Sequence, residues 1–280
     1  MCRWMGYFGE PVRPELLLYE TEHSLIVQSR RSVQMVNAIN GDGFGLGWYG
    51  IREEPGVYRN PDPAWSDRNL RVIAGQVESP LFLAHVRAST GTPSQQTNCH
   101  PFQHGEWIFV HNGFINEFHQ IRRELLLAVD PDLFDNIEGT TDSEVLFHLA
   151  LTFGLRDDPI GALEQMAGFV EHTCAAHGIG TPLQMTIGVS NGKGLWAARY
   201  ASQMKANTLY VSAEPHTIRE MYPDRERLSH LPDDTRIVVS EPLVDLPGVW
   251  HEMEAGSAVE ISAGTFERRA FTPRVPAGAT

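Results

Sequence analysis

The sequence has few basic residues, few cysteines and no long apolar run. Its 22 lysines and arginines stand against 35 aspartates and glutamates, which gives the 280 residues a formal net charge of −13 at pH 7. Such a chain repels a duplex phosphate backbone and an anionic membrane surface, so we expect neither nucleic acid nor membrane as a partner. No apolar run approaches the roughly 18 residues that cross a bilayer, and no secretory signal is visible, which predicts a cytosolic protein.

The three cysteines, at positions 2, 99 and 174, do not make a disulfide framework, and their odd number leaves at least one thiol free. Cys99 could form a papain-like pair with His111, although no sequence feature activates its thiol. Zinc binding by Cys99, His100 and His104 is a further alternative, but their spacing matches no usual closed site. We therefore expect no metal ion and no cofactor.

The apolar pattern predicts strands at both ends of the chain and helices between them. The predicted strands cover residues 24–28, 44–51, 81–86, 107–110, 183–190, 195–200, 208–213, 235–239, 258–261 and 266–271. Helices are predicted from Ile115, from Asp142, where Thr141 and Glu144 have the spacing of a capping box, and from Pro159. This order favours an α+β fold with two packed antiparallel sheets flanked by helices. We expect one domain over residues 1–272 and a loose tail over residues 273–280.

Cys2 is a candidate nucleophile. If an aminopeptidase removes Met1, as is usual before a residue as small as cysteine, Cys2 carries both a thiol and a free α-amine. That amine has a reference pKa of about 7.7 to 8.0 and could accept the thiol proton directly or through a water molecule. A cysteine at the second position can equally have no catalytic role, so the assignment depends on partners elsewhere in the chain.

Several downstream residues could provide those partners. Arg87 follows a predicted buried strand, where a guanidinium group can hold a carboxylate in a bidentate fork, although a surface arginine is a simpler interpretation. Asn112 and Gly113 offer two neutral N–H donors that could converge on an oxyanion, or the glycine could serve turn geometry only. Asp142 could hold an ammonium group or merely cap its helix. His100 either orients a loop or touches the substrate.

An α-amino acid with an amide in its side chain fits these groups together. The set, in this order, resembles the class II glutamine amidotransferases, a branch of the N-terminal nucleophile hydrolases. The resemblance extends from Cys2 to Phe153 at least, and the blocks that carry it are highly specific when taken together. The blocks that carry it are residues 2–6 (CRWMG), 41–45 (GDGFG), 84–87 (AHVR), 98–101 (NCHP), 111–113 (HNG) and 141–144 (TDSE).

The resemblance implies a four-layer αββα sandwich and a thioester mechanism on the γ-amide of glutamine. The implied catalytic groups are the nucleophile and the two oxyanion donors, namely Cys2, Asn112 and Gly113. The implied substrate-binding groups are Arg87 for the α-carboxylate and Asp142 for the α-amine. We also expect Thr90 and His100 as substrate contacts. A loop over residues 87–93 is implied to close over the substrate.

Other positions distinguish members of the family. Ala88 and Gly91 stand where the large synthases of the family have tryptophan and histidine. The blocks at 240–243 (SEPL) and 248–250 (GVW) instead resemble the small stand-alone members, such as the ergothioneine-pathway γ-glutamyl hydrolase and the glutathione-degrading subunits. This favours hydrolysis of a γ-glutamyl amide to glutamate and ammonia or an amine. Two alternatives stay open: a glutaminase subunit that passes ammonia to a separate synthase chain, and a non-catalytic γ-glutamyl-binding protein.

Overall fold

Two antiparallel sheets form the centre of the protein, which we describe from a computed structural model covering residues 2–30, 39–89, 91–224 and 232–278. The strands are β1 (Arg3–Val12), β2 (Phe44–Trp48), β3 (Gly56–Asn60), β4 (Ser79–Val86), β5 (Phe102–His104), β6 (Trp107–Ile115), β7 (Leu183–Ser190), β8 (Gly194–Ala201), β9 (Tyr210–Ser212), β10 (Arg236–Val239), β11 (Trp250–Glu252), β12 (Ser257–Ser262) and β13 (Thr265–Ala270). The seven-stranded sheet has the order β11-β9-β10-β1-β4-β2-β3, and the six-stranded sheet has the order β13-β12-β8-β7-β6-β5.

Helices cover the outer face of each sheet. They are α1 (Glu15–Leu18), α2 (Leu25–Arg30), α3 (Arg68–Gln76), α4 (Phe118–Leu127), α5 (Pro131–Phe134), α6 (Asp142–Thr152), α7 (Pro159–Ala176) and α8 (Pro215–Met221). Helices α1 to α3 pack on the seven-stranded sheet, and α4, α6 and α7 pack on the six-stranded sheet. The predicted α+β sandwich with four layers is therefore confirmed. No helix within the described ranges is both long and apolar enough to cross a membrane.

The two sheets pack face to face through a shared apolar core. Trp4 and Leu83 from the seven-stranded sheet meet Val110 and Leu195 from the six-stranded sheet, and all four side chains are fully buried. Because side chains alternate along a strand, the neighbouring positions of each strand face the helical layers instead. A central strand such as β1 is therefore buried on both faces, and its sequence shows no polar alternation. This explains why the sequence pattern did not reveal β1.

One predicted strand is wrong. Residues 25–28 fall within helix α2, and Ser24 directly precedes it. The hydroxyl of Ser24 accepts a hydrogen bond from the amide of Val27 at 3.3 Å in the manner of a helix cap. A short apolar run cannot be assigned to strand or helix by periodicity alone, which accounts for the error. The helix predicted from Ile115 begins later, at Phe118, because β6 continues to residue 115.

The C-terminal segment is fixed to helix α7 beyond the point where we expected a loose tail. The amide of Thr272 donates to the carboxylate of Glu164 at 3.0 Å, and the amide of Arg274 donates to the carbonyl oxygen of Glu164 at 3.1 Å. The backbone of Arg274 lies so close to Gly168 that a Cβ atom there would collide with it. A loose tail therefore does not begin at residue 273. The single domain over residues 1–272 stays a prediction.

Candidate active site

Cys2 lies half-buried just before β1. Its Sγ accepts a hydrogen bond from the amide of Ala88 at 3.4 Å and lies 3.5 Å from the carbonyl oxygen of the same residue. The pairing of β1 with β4, in which Arg3 is opposite Val86, brings the thiol to the end of β4. Burial raises the pKa of the Cys2 thiol, and the Ala88 amide and the positive charges of Arg87 and Arg3 oppose that rise.

A buried ion pair fixes the backbone next to the thiol. Nε of Arg3 donates to Oε1 of Glu241 at 2.6 Å, and Nη1 of Arg3 donates to the carbonyl oxygen of Cys2 at 2.8 Å. The hydroxyl of Ser240 accepts from the amide of Trp4 at 3.0 Å. Breaking a buried ion pair leaves an uncompensated charge in the protein interior, which is costly. The pair between Arg3 and Glu241 therefore holds the start of β1 firmly. The 240–243 block therefore positions the strand that follows the candidate nucleophile.

The guanidinium group of Arg87 is buried, so the interpretation as a surface arginine is wrong. Nη1 donates to the carbonyl oxygens of Asp42 and Pro93 at 3.1 and 3.3 Å. Nη2 donates to the hydroxyls of Ser89 and Thr92 at 3.2 and 2.5 Å. Arg87 therefore holds both ends of the loop that follows β4. Thr90, a predicted substrate contact in this loop, lies outside the described residues. Met1, whose removal would free the α-amine of Cys2, also lies outside them.

Asn112 and Gly113 lie inside strand β6, so the alternative that Gly113 serves a turn is wrong. A Cβ atom at position 113 would collide with the carbonyl oxygen of Gln184 and would lie 2.5 Å from Nε2 of His111. Glycine is thus required by close packing. On the opposite face of the strand, Oδ1 of Asn112 accepts a hydrogen bond from Nδ2 of Asn207 at 3.4 Å.

Asp142 is the first residue of α6. The hydroxyl of Thr141 caps the helix by accepting from the amide of Glu144 at 3.2 Å, as predicted, while the Glu144 carboxylate binds two amides of the preceding loop. Oδ2 of Asp142 accepts from the amide of Ile115 at 2.9 Å, and Oδ1 accepts from the amide of Ser143 at 2.7 Å. The carboxylate is therefore fixed against the end of β6.

Within the 98–101 block, Asn98 contacts the loops around the site. Its Nδ2 donates to the carbonyl oxygen of Pro93 at 3.0 Å, and its Oδ1 accepts from the amide of Thr140 at 2.8 Å. His100 is buried with its ring stacked on His85 at 4.1 Å between centroids, and burial holds its pKa well below the ordinary value. This packing fits the alternative in which His100 orients a loop.

A cleft of about 610 Å³ is lined by two of the predicted site residues. Gly113 and Asp142 line it, together with Thr92 and Pro93, which both bind Arg87. The cleft is also lined by Phe114 of β6 and by residues of the segment that follows β6, namely Glu117, Phe118, His119 and Arg122. A separate cavity of about 470 Å³ beside Tyr49 contains none of the predicted site residues. The cleft next to Asp142 is therefore the candidate active site.

The competing site at Cys99 has a different geometry. Its Sγ lies 3.5 Å from the carbonyl oxygens of Asn60 and Gln95, and burial raises the pKa of this thiol. His111 is hydrogen-bonded through Nδ1 to the hydroxyl of Ser143 at 2.9 Å, so it is not oriented by Cys99. Among the residues that the structure describes, no group of three or more histidines, cysteines or acids could hold a metal ion.

Sequence reasoning missed two residues that contact Asn112. They are Thr186, whose hydroxyl lies 3.4 Å from the Asn112 carbonyl oxygen, and Asn207. Neither belongs to a short motif, and both lie more than 70 positions along the chain from Asn112. The pairing of β6 with β7 brings Thr186 to Asn112, and Asn207 reaches Asn112 from the segment after β8, so no local signal could have identified them.

Comparison of this chain with known proteins identifies its family. The family model for class II glutamine amidotransferases matches residues 19–278. Probable glutamine amidotransferase DUG3 of Saccharomyces cerevisiae is 30% identical over 296 residues, covering 95% of this chain and 83% of that protein. The γ-glutamyl-hercynylcysteine sulfoxide hydrolase of Mycolicibacterium smegmatis is 28% identical, covering 83% of this chain and 93% of that protein. A solved glutamine aminotransferase class-II domain protein from Silicibacter pomeroyi has a TM-score of 0.74 and 34% identity, covering 98% of this chain and 100% of that one. This chain belongs to the class II glutamine amidotransferases, a family of enzymes.

Proposed function

We propose that this protein hydrolyses the γ-amide bond of glutamine or of a γ-glutamyl compound, with the Cys2 thiol as the nucleophile. The observation that carries the proposal is the contact between Cys2 and Ala88 directly beside Arg87. Arg87 binds Thr92 and Pro93, which line one cleft with Gly113 and Asp142. The proposed nucleophile thus lies beside the residue that follows Arg87, and two loop residues that bind Arg87 share the cleft with Gly113 and Asp142.

Acylation requires a base, because the raised pKa keeps the Cys2 thiol protonated near neutral pH. Once Met1 is removed, the α-amine of Cys2 takes the thiol proton as sulfur bonds to the γ-carbonyl carbon. The carbonyl oxygen becomes an oxyanion, which the Asn112 side-chain N–H and the Gly113 amide stabilise. The bond from carbon to nitrogen then breaks, and the α-amine passes the proton to the leaving nitrogen. A thioester and free ammonia or an amine result.

Deacylation uses a water molecule. The α-amine of Cys2 takes one proton of the water as its oxygen bonds to the thioester carbon. The bond from carbon to sulfur then breaks, and the sulfur regains a proton from the α-amine. The products of the cycle are glutamate, the free thiol and the amine released earlier. The same two N–H donors stabilise the second oxyanion.

The name of one of the two curated relatives favours a γ-glutamyl compound over free glutamine. One relative is named for hydrolysis of a γ-glutamyl sulfoxide, and it aligns with 83% of this chain. In the proposed site, Arg87 and Asp142 recognise only the carboxylate and the ammonium of the glutamyl half. The leaving group is thus free to be larger than ammonia. A protein that hydrolysed glutamine weakly, and only in the presence of another chain, would instead fit a glutaminase subunit.

The test is the intact mass, with peptide mapping, of purified protein after incubation with a diazo-ketone analogue of glutamine. We expect one adduct on Cys2 in chains that lack Met1. Cys2→Ala should lose the adduct and about 1000-fold or more of the turnover, since it removes the covalent pathway. Cys99→Ser serves as the matched control and should keep both. An adduct on Cys99, or full activity of Cys2→Ala, would contradict the proposal.

A further inference from the structure

A row of buried polar side chains crosses the six-stranded sheet at the height of Asn112. The strand register pairs Asn112 with Thr186, and Thr186 with Arg199. Paired residues of neighbouring strands project from the same face, which here is the face toward the other sheet, where Val110 and Leu195 form the core. All three polar residues are at most 7% exposed. Buried polar groups of this kind need fixed hydrogen-bond partners.

Asn207 supplies the contact with the side-chain amide of Asn112. Its Nδ2 lies 3.3 Å from the main-chain oxygen of Asn112 and 3.4 Å from Oδ1. Of the Asn112 oxygens, the Thr186 hydroxyl contacts the main-chain one. Because Oδ1 accepts from Asn207, Nδ2 of Asn112 occupies the other edge of the carboxamide, where it has no hydrogen-bond partner among the described residues. It is therefore available to a ligand.

The backbone of Asn207 is itself held in place. Nε of Arg199 donates to the carbonyl oxygen of Asn207 at 2.7 Å, and Nη1 of Arg199 lies 2.8 Å from a carboxylate oxygen of Glu252. The same guanidinium also binds the carbonyl oxygen of Met253. Asn207 is thus a buried donor on a segment clamped to strand β8. A clamp of this kind orients a neighbouring group more exactly than a mobile loop does.

We propose that Asn207 is a positioning residue, which selects the orientation of the Asn112 carboxamide that offers its N–H to the oxyanion. The inference rests on the proposed function, since it assigns the oxyanion to Asn112. The side chain of Asn207 can hold Oδ1 of Asn112 only by donating a hydrogen bond to it. An aspartate at position 207 is nearly isosteric but only accepts, so it attracts Nδ2 of Asn112 and turns Oδ1 toward the oxyanion.

The experiment compares Asn207→Asp with the wild type in the release of p-nitroaniline from L-γ-glutamyl-p-nitroanilide. We expect kcat to fall by about 10- to 100-fold, because loss of one oxyanion donor costs about 100-fold or more. KM should stay within about threefold, and the rate of Cys2 alkylation by iodoacetamide should not change. Asn136→Asp, at an exposed position, is the control for the added charge and should match the wild type.

A double-variant cycle separates positioning from a general loss of structure. In an Asn112→Gly background no carboxamide is left to orient, so Asn207→Asp should then reduce kcat by less than about twofold. If Asn207→Asp does not fold, Asn207→Ala in both backgrounds makes the same comparison. An unchanged kcat, or an equal loss in both backgrounds, overturns the inference and leaves the proposed function standing. A wild type that shows Cys2-dependent release neither of p-nitroaniline from this substrate nor of ammonia from glutamine overturns both.

Discussion

In the proposed function, Arg87 has two tasks that use the same donors: it holds a loop and binds the substrate carboxylate. In this structure its two terminal nitrogens bind Ser89, Thr92 and Pro93 of the loop after β4 and the carbonyl oxygen of Asp42. A glutamyl carboxylate that binds in a fork must share Nη2 with the hydroxyls of Ser89 and Thr92. Substrate binding and the conformation of this loop are therefore coupled through one side chain. The coupling distinguishes Arg87 from an arginine that serves only as a surface charge.

Replacing Arg87 with lysine tests this double role. A lysine has one point charge and no planar fork, so it cannot hold the loop and a carboxylate together. Loss of hydrogen bonds to a charged group costs about 1.5 to 3 kcal/mol, so we expect KM for L-γ-glutamyl-p-nitroanilide to rise about 10- to 100-fold. Steady-state kinetics measure this, with the half-exposed Arg269→Lys as the control. An unchanged KM would limit Arg87 to the loop.

At the scale of elements, the site depends on where β6 ends and α6 begins. Oδ2 of Asp142 binds the amide of Ile115, the last residue of β6, and the cap at Thr141 sets the first turn of α6. The position of the candidate ammonium binder is thus determined by two element boundaries at once. A change at the cap should affect both stability and substrate binding.

Thr141→Ala removes that cap. We expect the free energy of unfolding to fall by about 1 kcal/mol, the usual cost of losing a side-chain cap. KM should rise by about threefold or more, because Asp142 loses its fixed position. Urea unfolding and steady-state kinetics measure the two effects. Asp130→Ala, which removes the cap of α5 away from the cleft, should lower stability without changing KM. A rise in KM in both variants would mean that general loosening is the cause.

Elements with strong local signals could be predicted from the sequence. The Thr141 cap fixes the start of α6, and Asn191-Gly192 forms the predicted hairpin turn, with Gly192 at φ +82°. The location of Asn112-Gly113 inside a strand could not be predicted, because the need for glycine comes from the carbonyl oxygen of Gln184 on the next strand. Local chemistry is visible in the sequence, whereas contacts across the sheet appear only in the fold.

At the scale of the whole molecule, several histidines are enclosed without full hydrogen bonding. His85 and His100 stack, and Nδ1 of His85 and both ring nitrogens of His100 have no partner among the described residues. Burial lowers the pKa of His85 to about 3 and lowers those of His100, His111 and His148. These rings therefore stay neutral in the folded protein at pH values where they are protonated in the unfolded chain.

Because these histidines bind protons more readily in the unfolded chain than in the folded protein, we expect mild acid to destabilise the fold. The unfolded chain binds protons at these histidines below about pH 6.5, and the folded protein does not. The free energy of unfolding is therefore unaffected by these histidines above that pH and decreases as the pH falls below it. Each such histidine lowers the free energy of unfolding by about 1.4 kcal/mol per pH unit. Urea unfolding at about pH 7.5 and about pH 5.5 measures the slope. His100→Phe, which keeps a ring in the stack, should reduce it, and His119→Phe, with a side chain 77% exposed, should not. If His100→Phe kept the full slope, the acid sensitivity would arise from groups outside this stack.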